Sequence, residues 1–95
     1  MHQKQYYKGR SLEQVEAALE SEGLEVTHEE DEPGTTYDPH SHGEIVLAVV
    51  EGSMKLLLGD ATFNLKQGDR YTVPANAPHS AIVGRKGVIY VTGAK

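Results

Sequence analysis

From Thr35 onward, turn signals recur so closely that the segments between them have room for short strands and little else. Glu51-Gly52, Gly59-Asp60, Gln67-Gly68-Asp69, Asn76-Ala77-Pro78 and Gly84-Arg85-Lys86-Gly87 cut this region into pieces with apolar content. Six or seven strands at that spacing predict an all-β sandwich or barrel. Residues 54–58, the pair Gly59-Asp60 and residues 61–65 read as a hairpin with a two-residue turn. Tyr71-Thr72-Val73-Pro74 ends a strand at a proline, which suits only a strand end or an edge.

The upstream part reads differently. Ser11-Leu12-Glu13-Gln14 has the form of a capping box, and Leu12, Val15 and Leu19 then share one helical face until Gly23 offers a C-terminal cap. One short amphipathic helix is expected there. Leu24, Val26 and His28 alternate with Glu25, Thr27 and Glu29, the pattern of a half-buried strand that should dissolve into an acidic turn before Pro33-Gly34. The run Glu29-Glu30-Asp31-Glu32 is expected to be a solvated loop, because consecutive carboxylates repel. The organisation is therefore a tail, helix and edge strand over 1–33 and a barrel over 34–95, one domain overall, since 95 residues support a single core.

Composition narrows the function classes. With no cysteine, disulfides, thiolate metal sites and cysteine nucleophiles are excluded. A net charge of −5, with basic residues scattered, argues against a nucleic-acid partner. The longest apolar stretch, 45–50, is far too short to span a membrane, and the N-terminus lacks the apolar core of a signal peptide, so a cytoplasmic protein is expected. The helix, the alternating strand and Tyr6-Tyr7 offer more apolar surface than so small a barrel easily covers, which predicts a homodimer with N-terminal elements at or near the interface.

The chemistry concentrates in His40-Ser41-His42-Gly43-Glu44. In an extended strand these two imidazoles and the carboxylate, at every second residue, point to one side. Taken alone, the His-x-His pair reads as readily as exposed loop residues beside Asp38-Pro39. His79, opening a separate strand after Asn76-Ala77-Pro78, changes that weighing, because three histidines at strand ends of one small barrel converge more naturally on a divalent metal. Nitrogen and oxygen donors suit Zn, Mn, Fe, Ni, Co or Cu without choosing among them. His2, in a polar tail, and His28, beside the acidic run, read as surface residues, and the tyrosines as core or interface; Tyr71 and Tyr90 sit on barrel strands whose cavity-facing side the sequence does not fix.

Here the sequence resembles the cupin superfamily. Gly34, His40, His42 and Gly52 match its first motif; Gly68, Pro74 and His79 match its second at the required spacings. The resemblance covers 34–83, with the closing strand to Thr92, and implies a double-stranded β-helix, or jelly-roll barrel, holding one divalent transition metal on His40, His42 and His79, with Glu44 as fourth ligand. Three departures stand out. The stretch from His42 to Gly52 is one residue short, so Ile45 falls where the family has its glutamate; Glu44 is favoured because it shares the parity of the histidines, and an unpaired carboxylate inside a barrel is costly. Asn76 stands where the second motif has glycine and should keep the turn, since asparagine tolerates a left-handed conformation, and Val83 replaces a terminal asparagine.

The resemblance leaves function open among a metal-dependent enzyme, dioxygenase-like or isomerase-like, on a small organic substrate, a non-catalytic module that binds or stores a small ligand, and a barrel with a purely structural metal. Walls formed by Val46, Ala48, Met54, Leu56, Phe63, Ala81 and Val83 would favour a small, mostly apolar ligand.

Overall fold

The structure, a computed structural model, describes residues 2–40 and 43–94, and of 37–40 the backbone alone. In chain order it contains β1 (His2–Gln3), α1 (Leu12–Ser21), β2 (Glu25–Asp31), β3 (Thr36–His40), β4 (Ile45–Leu58), β5 (Ala61–Lys66), β6 (Arg70–Val73) and β7 (His79–Ala94). All strand pairings are antiparallel.

Two long strands organise everything else. β4 and β7 pair from Ile45 opposite Ala94 to Leu58 opposite His79, with the register shifting between Val49 and Glu51 and again between Gly52 and Met54. At that bend Gly52 and Gly87 take φ of +77° and +76°. A Cβ on Gly52 would overlap the Gly87 carbonyl oxygen, so the strands cross here backbone on backbone. On one side of the bend the order is β1-β6-β4-β7-β2; on the other, β5 and β3 flank the remaining halves of β4 and β7. Two sheets thus share two bent strands, the all-β double-stranded architecture expected from the sequence.

Glu51-Gly52 and Gly84-Arg85-Lys86-Gly87 were expected to be turns between strands, yet both are bends inside continuous ones. A glycine at positive φ serves a turn or a bulge equally well, and the strand lying opposite decides between them. Gly59-Asp60 does form the two-residue hairpin turn, Leu58 pairing with Ala61, with Gly59 alone of the two at positive φ.

Side chains alternate across the sheets. Leu47, Val49, Met54, Leu56, Leu65, Tyr71, Val73, Ala81, Val83, Val88 and Tyr90 fill the space between the sheets, with Ile45, Leu58 and Phe63 against them. Val46, Ala48, Val50 and Val91 face the other way and are covered by Tyr7, Val15, Leu19 and Leu24. Val46 and Ala48 therefore belong to the floor beneath the helix and not to a cavity wall. The pleat forces this once Leu47 and Val49 face inward.

The helix is held as its sequence demands. The Ser11 hydroxyl accepts from the Gln14 amide at 3.2 Å, and the Gln14 side chain accepts from the Ser11 amide at 2.9 Å. At the other end, Gly23 at φ +81° lets its own amide reach Glu20 and that of Leu24 reach Leu19, a complete Schellman closure. Tyr7, Val15, Leu19 and Leu24, among the residues that suggested a dimer, are covered within the chain, whereas Tyr6 stays 52% exposed. The acidic run is also placed differently from expectation: Glu29, Glu30 and Asp31 lie in β2, paired with Tyr90, Ile89 and Val88. Successive carboxylates on a strand point to opposite faces, which separates them, and a charged edge strand resists pairing with another chain.

The tail before the helix wraps the turn at Gly68-Asp69. The Tyr7 amide donates to the Gly68 carbonyl at 2.8 Å. Asp69, only 4% exposed, accepts from the Gln5 amide at 2.8 Å, from the Lys66 amide at 3.1 Å and from the His2 ring at 2.9 Å. Burial pushes its carboxyl pKa up, but these donors outweigh burial and hold it below the usual aspartate value. Arg70 grips Glu22 at the helix end through two bonds of 2.6 and 2.8 Å and donates to the Tyr7 hydroxyl at 2.7 Å. His2, expected on the surface, is instead a strand residue tied to Asp69 and edge-on to Phe63.

Candidate functional site

His79 is the best-defined member of the site. It opens β7, is 5% exposed, and its Nδ1 lies 2.9 Å from the Ala77 carbonyl oxygen. A carbonyl oxygen can only accept, so Nδ1 carries a proton and donates to it. Anchoring one ring nitrogen in this way fixes the orientation of the imidazole and of the other nitrogen, as it does in metal-binding histidines.

The register brings the motif segments to one end of the barrel. The backbone of His40, last residue of β3, pairs with that of His79, while Ile45, first residue of β4, pairs with Val73, last residue of β6. The described ends of the two motif segments therefore lie beside one another, His40 against His79 and Ile45 against Val73. The side chain of His40 and the whole of His42 lie outside the described residues. Among those described, no three His, Asp or Glu side chains gather as a metal site.

Glu44 is half-buried and immediately precedes β4. Within that strand Ile45 and Leu47 pack between the sheets and Val46 faces the helix. Alternation carried back from the strand would put Glu44 on the helix side, so inward direction of its carboxylate depends on the connection 41–44 and not on strand parity.

Two residues the sequence could not orient are now fixed. Tyr71 and Tyr90 both belong to the cluster between the sheets. Burial pushes the Tyr71 phenol pKa up, so it remains a neutral hydroxyl, and its ring lies 4.7 Å from that of Phe63. What sequence reasoning missed is a backbone atom, the Ala77 carbonyl oxygen; its signal was the spacing Ala77-Pro78-His79. His28 lies on the exposed side of β2, 3.6 Å from Glu30. Among the described residues no helix is long and apolar enough to cross a membrane.

Comparison with known proteins agrees with this fold. The family model described as Cupin domain matches residues 27–90. A conserved protein of unknown function from Streptococcus pyogenes superposes with a TM-score of 0.68 at 19% identity, over 76% of this chain and 64% of that one. KdgF from Halomonas sp. gives 0.66 at 20% identity, over 76% and 70%. A chain from the crystal structures of the DMSP lyases RdDddP and RnDddQII gives 0.67 at 31% identity, over 73% and 36%. This chain thus spans less than two thirds of the streptococcal protein and about a third of the lyase chain. A search of curated proteins returns no match.

Proposed function

The chain belongs to the cupin family, and from that premise we propose that it holds one divalent transition metal on His40, His42 and His79, with Glu44 as fourth ligand, and acts as a metal-dependent enzyme on a small organic substrate. The observation that carries this reading is His79: a buried imidazole whose Nδ1 is already engaged by the Ala77 carbonyl oxygen at 2.9 Å, directly across the backbone pair from His40. The donor set fits a transition metal, imidazole nitrogen with one carboxylate and no thiolate. When bound, such a metal supplies a Lewis acid or redox centre with positions left for substrate or water.

The chain's own residues do the rest. Leu58, across the β4–β7 ladder from His79, and the Ile45–Val73 pair bring apolar side chains to this end of the barrel. Tyr71, kept protonated by burial, gives the interior a hydroxyl that can orient an oxygen-bearing ligand. A mostly apolar interior with a few polar groups suits a small acid, enolate or diketone better than a sugar phosphate. The lyase among the similar structures supports an enzyme over a barrel with a purely structural metal.

Metal content measured on untagged protein tests the proposal. His79→Ala and His42→Ala should lose metal to a similar degree, because the ligands arrive on separate strands, whereas Glu44→Gln should weaken binding without abolishing it. Full stoichiometry and affinity in His79→Ala would sink the site as drawn. Electron paramagnetic resonance of the loaded protein with and without oxygen then separates an open, redox-active centre from tightly held, fully coordinated zinc.

A further inference from the structure

We propose that Asn76 and Pro78 are positioning residues that lock His79 in its Nδ1-protonated tautomer by holding the Ala77 carbonyl oxygen against that nitrogen. The proposal rests on the metal-site reading only for its purpose; the lock itself is a property of the metal-free chain.

The argument begins with the turn. The Ala77 amide donates to the Pro74 carbonyl at 3.4 Å, closing a four-residue turn in which Asn76 is third, at φ +63°. Positive φ at the third place is the mark of a type II turn, a place that glycine fills at no steric cost, asparagine fills readily and a β-branched residue resists. Pro78 acts from the other side. Its ring disfavours a helical backbone at the residue before it, which restricts Ala77 to extended conformations. Asn76 and Pro78 thus constrain Ala77 from both flanks, and the carbonyl between them meets the ring two residues on at 2.9 Å. Histidine free in water prefers its proton on Nε2, so the observed partner selects the opposite tautomer. A buried ring, 5% exposed, has little water to offer as a substitute for that carbonyl. Outer partners of this kind fix ligand orientation, and their loss typically weakens metal binding roughly 10–100-fold.

Long-range proton–nitrogen correlation spectra of the full-length, metal-free protein read the tautomer directly, with His79→Ala to assign the signals. Wild type and Asn76→Gly should show His79 protonated at Nδ1 alone, whereas Asn76→Val and Pro78→Ala should show a mixture or the Nε2-protonated form. Zinc titration against a chelator should give Asn76→Gly an affinity near wild type and the other two variants roughly 10–100-fold less. Should Asn76→Val fail to fold, Pro78→Ala with Asn76→Gly carries the same test. Pure Nδ1 protonation in a folded Pro78→Ala or Asn76→Val, or Nε2 protonation in wild type, overturns the lock. A tautomer that shifts as expected in a protein whose zinc binding is insensitive to His79→Ala supports the lock and refutes the metal site, so the two failures are distinct.

Discussion

The two sheets share β4 and β7 but differ in what lies behind them. Where β4 and β7 pair with β6 and β2, the outer face is apolar and covered: Val46, Ala48, Val50 and Val91 lie under Tyr7, Val15, Leu19 and Leu24. Beyond the bend the same strands present Lys55 and Ile82 outward, both exposed, the latter at 42%. One strand therefore obeys two rules along its length. Residues 45–50 are an unbroken apolar run because both faces are buried, whereas Met54, Lys55 and Leu56 are buried, exposed and buried in turn because one face meets water. The N-terminal segment is the missing half of a core for one sheet and, among the described residues, has no counterpart on the other.

Removing residues 2–23 is the harshest way to break that contrast, since it uncovers the whole apolar floor and releases the Asp69 and Arg70 contacts. We expect loss of the cooperative thermal transition or aggregation, read by circular dichroism and size exclusion; a truncated chain that stays free of aggregation with an unchanged melting temperature would show that the covered sheet stands alone. A milder comparison pairs one residue from each face. Leu19→Ala, at a fully buried position, should cost about 2–5 kcal/mol, and Ile82→Ala should stay within about 0.5 kcal/mol. Chemical denaturation of both variants checks it, and equal losses would erase the distinction.

The smallest effect concerns the latch at Asp69. Its pKa is depressed in the folded state, so the unfolded chain takes up the proton first as pH falls. The stabilisation is therefore fully present above the ordinary aspartate range and is lost as pH drops through the lower folded value. Asp69→Asn should cost about 1–3 kcal/mol at neutral pH, and less in acid, where the wild type has lost the same contribution. An Asp69→Asn deficit that persisted undiminished in acid would assign the loss to packing instead of charge.

Legibility in the sequence followed locality. The capping box at Ser11 and Gln14, the Gly23 stop and the Gly59-Asp60 hairpin are set by residues within a few positions of one another, and all were readable. The bends at Gly52 and Gly87 were not, because Gly52 is crowded by the Gly87 carbonyl and Gly87 by the Asp31 carbonyl, both far away along the chain. For the same reason the strand character of Glu29, Glu30 and Asp31 depends on β7, and the burial of Asp69 on a tail more than sixty residues away in sequence. In the candidate site, Asn76 takes the left-handed conformation expected of it. The inward placing of Tyr71 and Tyr90 and the reassignment of Val46 and Ala48 needed the register of β4 and β7, which no local pattern encodes.

The shared pair of strands also dictates an order of assembly. The β4–β7 ladder is nested, with Leu58 and His79 at its inner end and Ile45 and Ala94 at its outer end, so the loop to be closed is shortest at the inner end and lengthens with each further pair. The Gly59-Asp60 hairpin joins β5 to β4 with almost no loop at all and is suited to form first. The inner contacts then close, zippering proceeds through the glycine bend, and only a completed β7 offers β2 its partner and α1 its floor. Folding speed is thereby tied to non-local pairing, which makes this a slow chain for its size. His79 stands at the inner end of the ladder and Ile45 at the outer, so the end of the barrel where the motif segments meet is complete only once the ladder has closed along its whole length.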